Sequence, residues 1–469
     1  MSQDLNWKSA TKLLKGYAKK KFSPVEVTKA CLSQIAKHDG TINAMCGVHG
    51  DEALVQAKAS EARWVKGEPA GPVDGVPVLV KDLLLVRGWK TLRGSKTVDR
   101  NQAWDNDAPS VARLRESGAV FLGQTTTPEF GWKGVTDSPL TGITRNPWNA
   151  AKTPGGSSGG SSAAAAAGYG PLTLGTDGGG SIRIPAGFSG IFGHKPSFGR
   201  VPAWPLSPFG TVAHVGPMTR TVEDSALMMN VIALPDARDW HSLPYDGRDY
   251  LKGLDKGVKG LRVAFSRSLG YVNVDPEIAR LVEDAVRVLE DLGAIVESVD
   301  PGFTDPAETF RILWWSGVKA IFGKQPKDKL DLLDRDLADV VEQSRAITLE
   351  DYLDAVKQRG ALGAAMRQFM LNYDVLVTPT LPIAAFDAGR LFPKGHDDTA
   401  KWVNWTPFSY PFNLTQQPAA SVPCGFTAAG LPAGLHVIGG MFDDATVLRV
   451  AHAYERATDW VKRRPPACV

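Results

Sequence analysis

Ser157 and Ser181 each sit among glycines in the segment TPGGSSGGSSAAAAAGYGPLTLGTDGGGSIRIPAGFSG, residues 153–190, on either side of an Ala/Leu-rich run. Glycine beside serine lets backbone N–H groups approach a ligand closely and adopt turns that other residues resist. Hydroxyl groups next to exposed backbone donors are what acyl transfer needs, a nucleophile and a place for the oxyanion. Other uses of such a segment compete. A Gly/Ser stretch is often a linker or turn, although the apolar run and the Ser-Ile-Arg-Ile-Pro ending are too punctuated for a flexible one. A phosphate loop would end in Gly-Lys-Ser/Thr, which is absent, and no G-x-G-x-x-G fingerprint occurs here. The G-x-S-x-G elbow is missing too, since Gly187-Phe188-Ser189-Gly190 has the wrong spacing.

A serine nucleophile needs a base. None of the eight histidines carries a local catalytic pattern. His194 follows Gly193 in what reads as a polar turn, and His436 lies in an apparent strand, GLHVIG; both read as structural or surface histidines. Lys81 stands out instead, because it interrupts the apolar run Val76–Val86, which reads as a buried strand. Lysine is rarely buried without a partner or a purpose, and desolvation favours its neutral amine. The competing reading is a Lys81–Asp82 pair at a strand end with the ammonium in water. The strand alone does not decide between them.

Lys81, the Pro-Gly-Gly-Ser-Ser-Gly-Gly-Ser run and Asp177-Gly-Gly-Gly-Ser-Ile-Arg183 stand in an order and spacing that resembles the amidase signature family. The resemblance extends through Gly71-Pro-Val-Asp-Gly-Val-Pro77, Asn146-Pro-Trp148, the segment 193–202, Gly216-Pro-Met218 and the C-terminal segments 413–419 and 430–439. It covers most of the chain and is thin only between about 235 and 370. It implies that Ser181 is the nucleophile, that Ser157, joined to Gly156 by a cis peptide, relays protons, and that Lys81 is the base. It also implies an oxyanion hole from the N–H groups of Gly178, Gly179, Gly180 and Ser181, with Ser158, Asp177 and Arg183 supporting the loop. No metal or organic cofactor is implied. Two departures lie outside these residues: Gln416 replaces a usual glycine, and His436 a usual glutamine.

The elements that must position these residues follow from the pattern. Residues 4–67 read as mainly helical, with Ser23-Pro24-Val25-Glu26 a good helix start. Residues 71–235 alternate strands, glycine turns and helices and hold the whole catalytic apparatus. Residues 275–300 read as a helix–strand unit, 303–370 as helical, 390–412 as an aromatic loop, and about 443–459 as a closing helix. The resemblance implies one α/β domain over 1–469, a central mixed sheet with helices on both faces: an N-terminal helical part (1–70), a catalytic core (71–235) and a variable region around the cleft (303–412).

Composition excludes several classes. With 43% hydrophobic and 22% charged residues the chain suits a globular enzyme. A formal charge of +3 argues against a general nucleic-acid surface. Four scattered cysteines make no disulfide framework. The polar N-terminus lacks the apolar core of a signal peptide, and no run of about 18 apolar residues suggests a membrane span. The expected compartment is the cytoplasm; the oligomeric state, a homodimer among the options, is left open.

For substrate, the resemblance points to Phe130, Gly131 and Trp132, with Trp314, Trp315 and the aromatics of 402–410 as further candidates for either pocket or core. Aromatic walls suit an apolar or aryl substrate. No arginine is evidently dedicated to a carboxylate, so the expected substrate is a small neutral amide, an anilide or alkyl amide, with carbamates (urethanes) also suitable. The alternative is the catalytic component of a glutamyl-tRNA amidotransferase, acting in a complex. Against it, Thr125-Thr-Thr-Pro-Glu-Phe-Gly-Trp132 stands where that component usually has Asn-Met-Asp-Glu-Phe-Ala-Met-Gly.

Overall fold

Eleven strands form one mixed sheet in a computed structural model that describes residues 4–395 and 399–468. In chain order they are β1 (Met45–Val48), β2 (Pro77–Lys81), β3 (Val120–Thr125), β4 (Leu172–Asp177), β5 (Phe192–Lys195), β6 (His214–Thr219), β7 (Arg262–Phe265), β8 (Ile295–Ser298), β9 (Val375–Pro379), β10 (Ala419–Phe426) and β11 (Pro432–Gly439). Across the sheet the order is β1-β3-β2-β4-β6-β5-β10-β11-β9-β7-β8. The trio β3-β2-β4 is parallel, as is β9-β7-β8, and antiparallel pairings join the two sets.

Strand alternation sends successive side chains to opposite faces. Val78 and Val80 of β2 pack into a core with the helices Val222–Ile232, Pro276–Asp291 and Asp444–Ala457. Leu79 packs the other way, against the helices Pro24–Ile42 and Gly159–Ala166. Lys81 shares the parity of Leu79, so its side chain belongs to the face that carries the small-residue helix. That helix, GGSSAAAA, is buried at all eight positions. A Cβ at Gly160 would come within 2.4 Å of the Thr126 amide nitrogen, so the close contact with the sheet requires a glycine there. The Gly/Ser segment is therefore an interior element and no linker.

The expected helix–strand unit over 275–300 and the helices within 303–370 form, and the expected cap at Ser23 is completed by Glu26 as a capping box. Three local readings change. Met45–Val48, inside the stretch read as helical, is an edge strand pairing antiparallel with β3. His194 lies in β5 rather than a turn; it is buried, with Nε2 3.2 Å from Asp444 Oδ1. The 390–412 stretch contains 3-10 turns over Thr399–Trp405, while 396–398 lie outside the described residues. Its aromatics Trp402, Trp405, Phe408 and Tyr410 are all buried in hydrophobic clusters. Among the described residues no helix is long and apolar enough to cross a membrane.

Candidate active site

Lys81 ends β2 and Asp177 ends β4, two parallel neighbours, so both lie at the carboxyl edge of the sheet where the loops that follow build a cleft. Lys81 has no exposed surface. Its Nζ lies 2.7 Å from Ser157 Oγ, 2.8 Å from Ser158 Oγ and 2.8 Å from Thr176 Oγ1. The pair with Asp82 does not form. The Asp82 carboxylate instead accepts the backbone N–H groups of Leu92 and Gly94, both at 3.0 Å. Burial therefore pushes the Lys81 pKa well below its ordinary value, and the more distant Asp177 only partly opposes this.

The hydroxyl partners differ in what they can offer the amine. Ser158 Oγ donates to the Thr176 carbonyl at 3.0 Å, so toward Lys81 it can only accept. A neutral amine that donates to Ser158 and Thr176 keeps its lone pair for the Ser157 hydroxyl. Ser157 follows the cis peptide Gly156–Ser157. Gly131 approaches it closely: a Cβ there would stand 3.1 Å from Ser157 Oγ.

Ser181 lines the same cavity, and among the described residues its Oγ makes no hydrogen bond. The loop beneath it is held by Asp177. Oδ1 accepts from Gly180 N (2.7 Å), Arg183 Nη2 (3.1 Å) and Asn413 Nδ2 (2.8 Å). Oδ2 accepts from Ile182 N (3.1 Å) and Arg183 Nε (2.9 Å). Burial alone would raise the Asp177 pKa, but the Arg183 guanidinium and these hydrogen bonds hold it well below the usual carboxylate range. Arg183 Nη1 in turn donates to the Ser409 carbonyl and lies 3.1 Å from His436 Nε2. Burial and this guanidinium keep His436 neutral, so the histidine that replaces the usual glutamine serves as an acceptor behind the loop. Gln416, at φ 65°, donates from Nε2 to the Thr211 carbonyl at 2.9 Å and lies outside the cavity lining.

The glycine loop differs from expectation at one position. The N–H groups of Gly178, Gly179 and Ser181 have no partner among the described residues, whereas that of Gly180 is committed to Asp177. Gly180 contributes its positive φ of 129° to the turn in place of a donor. Gly178 faces the cavity wall, where a Cβ would meet the Trp314 ring at 2.6 Å. We expect Gly178→Ala to displace that ring or the loop and to lower kcat by roughly 10²-fold, since misplacements near 1 Å cost about that much. Nitroanilide turnover beside an unchanged circular dichroism spectrum would check it.

The cavity encloses about 140 Å³. Of the three residues expected to bind substrate, Phe130 and Gly131 line it. Trp132 is fully buried behind, its carbonyl accepting Trp314 Nε1 at 3.0 Å. Trp314 forms a wall, stacked on Phe209 with ring centroids 3.7 Å apart, whereas Trp315 is core. Sequence reasoning missed most of the remaining wall, including Trp204 to Phe209, Leu83, Thr176, His214 and Arg93. A proline-punctuated aromatic segment, Trp204-Pro-Leu-Ser-Pro-Phe209, was the available signal. His214 bonds neither serine. Its Nδ1 lies 2.8 Å from the Val212 carbonyl, and burial lowers its pKa well below the ordinary value.

Residues 26–448 match the family described as Amidase. The chain is 38% identical over 473 residues to an acylamidase of Rhodococcus erythropolis, covering 99% of this chain and 98% of that one. It is 36% identical to a glutamyl-tRNA(Gln) amidotransferase component of Chloroflexus aurantiacus, covering 94% of each. Among solved structures it superposes on a bacterial aryl acylamidase of the amidase signature family with a TM-score of 0.90 and 32% identity, over 97% of both chains. A match of this length, on a mixed sheet that carries the lysine and both serines at one edge, makes the chain a member of the amidase signature family, carbon–nitrogen hydrolases that work through a Ser–cis-Ser–Lys mechanism.

Proposed function

We propose that this enzyme hydrolyses small aryl and alkyl amides, with carbamates as further substrates, through an acyl-Ser181 intermediate. The observation that carries the reading is the buried Lys81 amine, 2.7 Å from the hydroxyl of Ser157, which lines the same cavity as Ser181. Ser181 Oγ attacks the carbonyl carbon while its proton passes to Ser157, whose own proton passes to Lys81. The tetrahedral oxyanion lies against the N–H groups of Gly178, Gly179 and Ser181. The lysine ammonium then returns its proton through Ser157 to the departing nitrogen, the C–N bond breaks, and acyl-Ser181 remains. Water repeats the sequence and releases the acid. The steps require neither metal nor organic cofactor.

Aromatic walls at Phe130, Trp204, Phe209 and Trp314 favour an aryl or alkyl group beside the carbonyl, and the similarity to an acylamidase and an aryl acylamidase supports the same reading. We read the whole chain, 1–469, as one catalytic unit, cytoplasmic and independent of nucleic acid. The test is nitroaniline release by the purified chain from an acyl nitroanilide and from the matching alkyl carbamate. Release from either, insensitive to EDTA, is the expected result. The 36% identity to an amidotransferase component favours a second reading, a protein that works only within a complex. Release that appears only with partner proteins, ATP and tRNA would replace the first reading by the second.

A further inference from the structure

Arg93 is the one lysine or arginine side chain among the described residues that line the catalytic cavity. Its surroundings are otherwise mostly apolar, and a few placed polar groups in such a pocket orient the ligand. No carboxylate of the protein lies within ion-pair distance of it among the described residues. Asp82, whose charge acts on it, accepts the backbone N–H groups of Leu92 and Gly94, and Asp177 of the cavity lining holds Arg183. The guanidinium carbon lies 6.0 Å from the centre of the Phe130 ring.

The backbone holds this arrangement. Arg93 (φ 56°) and Phe130 (φ 51°) both adopt the left-handed conformation that residues with side chains rarely take. The Phe130 N–H donates to the Arg93 carbonyl at 2.8 Å, which fastens the two segments together. Both residues also line a second cavity with Asp99, Phe322 and Lys329, so Arg93 stands between the two. Burial lowers its pKa somewhat, with Asp82 opposing, the mark of a cation short of compensating charge.

We propose that Arg93 binds a carboxylate on the substrate, so that the preferred amides carry an acid group on the part that lies against Phe130. A planar guanidinium suits a carboxylate because two N–H groups can meet its two oxygens. The inference rests on the proposed amide hydrolysis and replaces the expectation of a neutral substrate.

Two matched pairs test it in the wild type, Arg93→Gln and Arg93→Lys. For the acyl side, N-succinyl and N-butanoyl 4-nitroanilide are compared. For the leaving side, 4-acetamidobenzoate is compared with its methyl ester. In one pair the wild type should prefer the acid, and Arg93→Gln should lower the acid-to-neutral ratio of kcat/KM by about tenfold, the effect of one charge-assisted hydrogen bond. The loss should appear mainly in KM, with Arg93→Lys recovering part of it. No acid preference in either pair, or a ratio unchanged in Arg93→Gln, overturns the proposal and leaves the hydrolysis standing. A wild type that cleaves none of the four overturns both.

Discussion

Ser181→Ala will lower amide turnover by about 10⁴-fold or more, the scale seen when a covalent nucleophile is removed, and will leave the fold in place. The effect is large because in the proposed mechanism the lost oxygen is the atom that forms the acyl bond, and no neighbouring group can substitute. Ser157 Oγ is already bonded to Lys81, and Ser158 is committed to the Thr176 carbonyl. The cost in stability should stay within about 0.5 kcal/mol, since Ser181 Oγ makes no hydrogen bond and faces the cavity. Nitroaniline release and thermal unfolding measured on the same preparation check both halves. Retained turnover would remove Ser181 from the mechanism; lost turnover with lost cooperative unfolding would say nothing of catalysis and would contradict the stability expectation.

Lys81→Met is the second large effect, expected to approach that of Ser181→Ala because the two act in one relay. In the wild type the neutral amine is the working form, so kcat/KM should fall as pH drops through the lowered Lys81 pKa and hold on the alkaline side. The same lowering has a consequence for stability. The unfolded chain binds a proton on Lys81 up to about pH 10.4, while the folded chain has released it. Between the two pKa values wild-type stability therefore rises with pH by about 1.4 kcal/mol per unit, and Lys81→Met lacks this slope. Urea unfolding of both proteins at pH 7 and pH 9 measures it. A variant that follows the wild-type slope would mean that Lys81 keeps its proton on folding, and the base assignment would fail with it.

Much of this was legible in the residues. Lys81 could be read as buried because an apolar strand surrounds it, and the glycine-flanked serines pointed to acyl transfer before any geometry was known. What the strand could not tell was whether Asp82 would pair with its neighbour. That depended on the Leu92–Gly94 backbone, ten residues away in sequence, turning its N–H groups onto the carboxylate. The commitment of the Gly180 N–H to Asp177 was hidden for a similar reason: glycines look alike in a sequence, and only the fold decides which amide points outward. The pocket wall was the least legible part. Trp204, Phe209 and Arg93 come from loops whose paths follow no hydrophobic period, while Trp402, Trp405, Phe408 and Tyr410, which the sequence left open between wall and core, are core.

The helix Gly159–Ala166, buried at every position, has a bearing on how such an enzyme can diverge. Its first turn tolerates no added methyl group, because a Cβ at Gly159 would meet Thr136 Oγ1 at 2.3 Å and one at Gly160 the Thr126 amide at 2.4 Å, just beyond Ser157. The aromatic side chains that line the cavity stand elsewhere, on loops and short turns and on the helix Ala307–Phe322. The chain is thus divided into an inherited part that performs the reaction and a replaceable part that chooses the molecule. Selection can rewrite the second without a single change in the first.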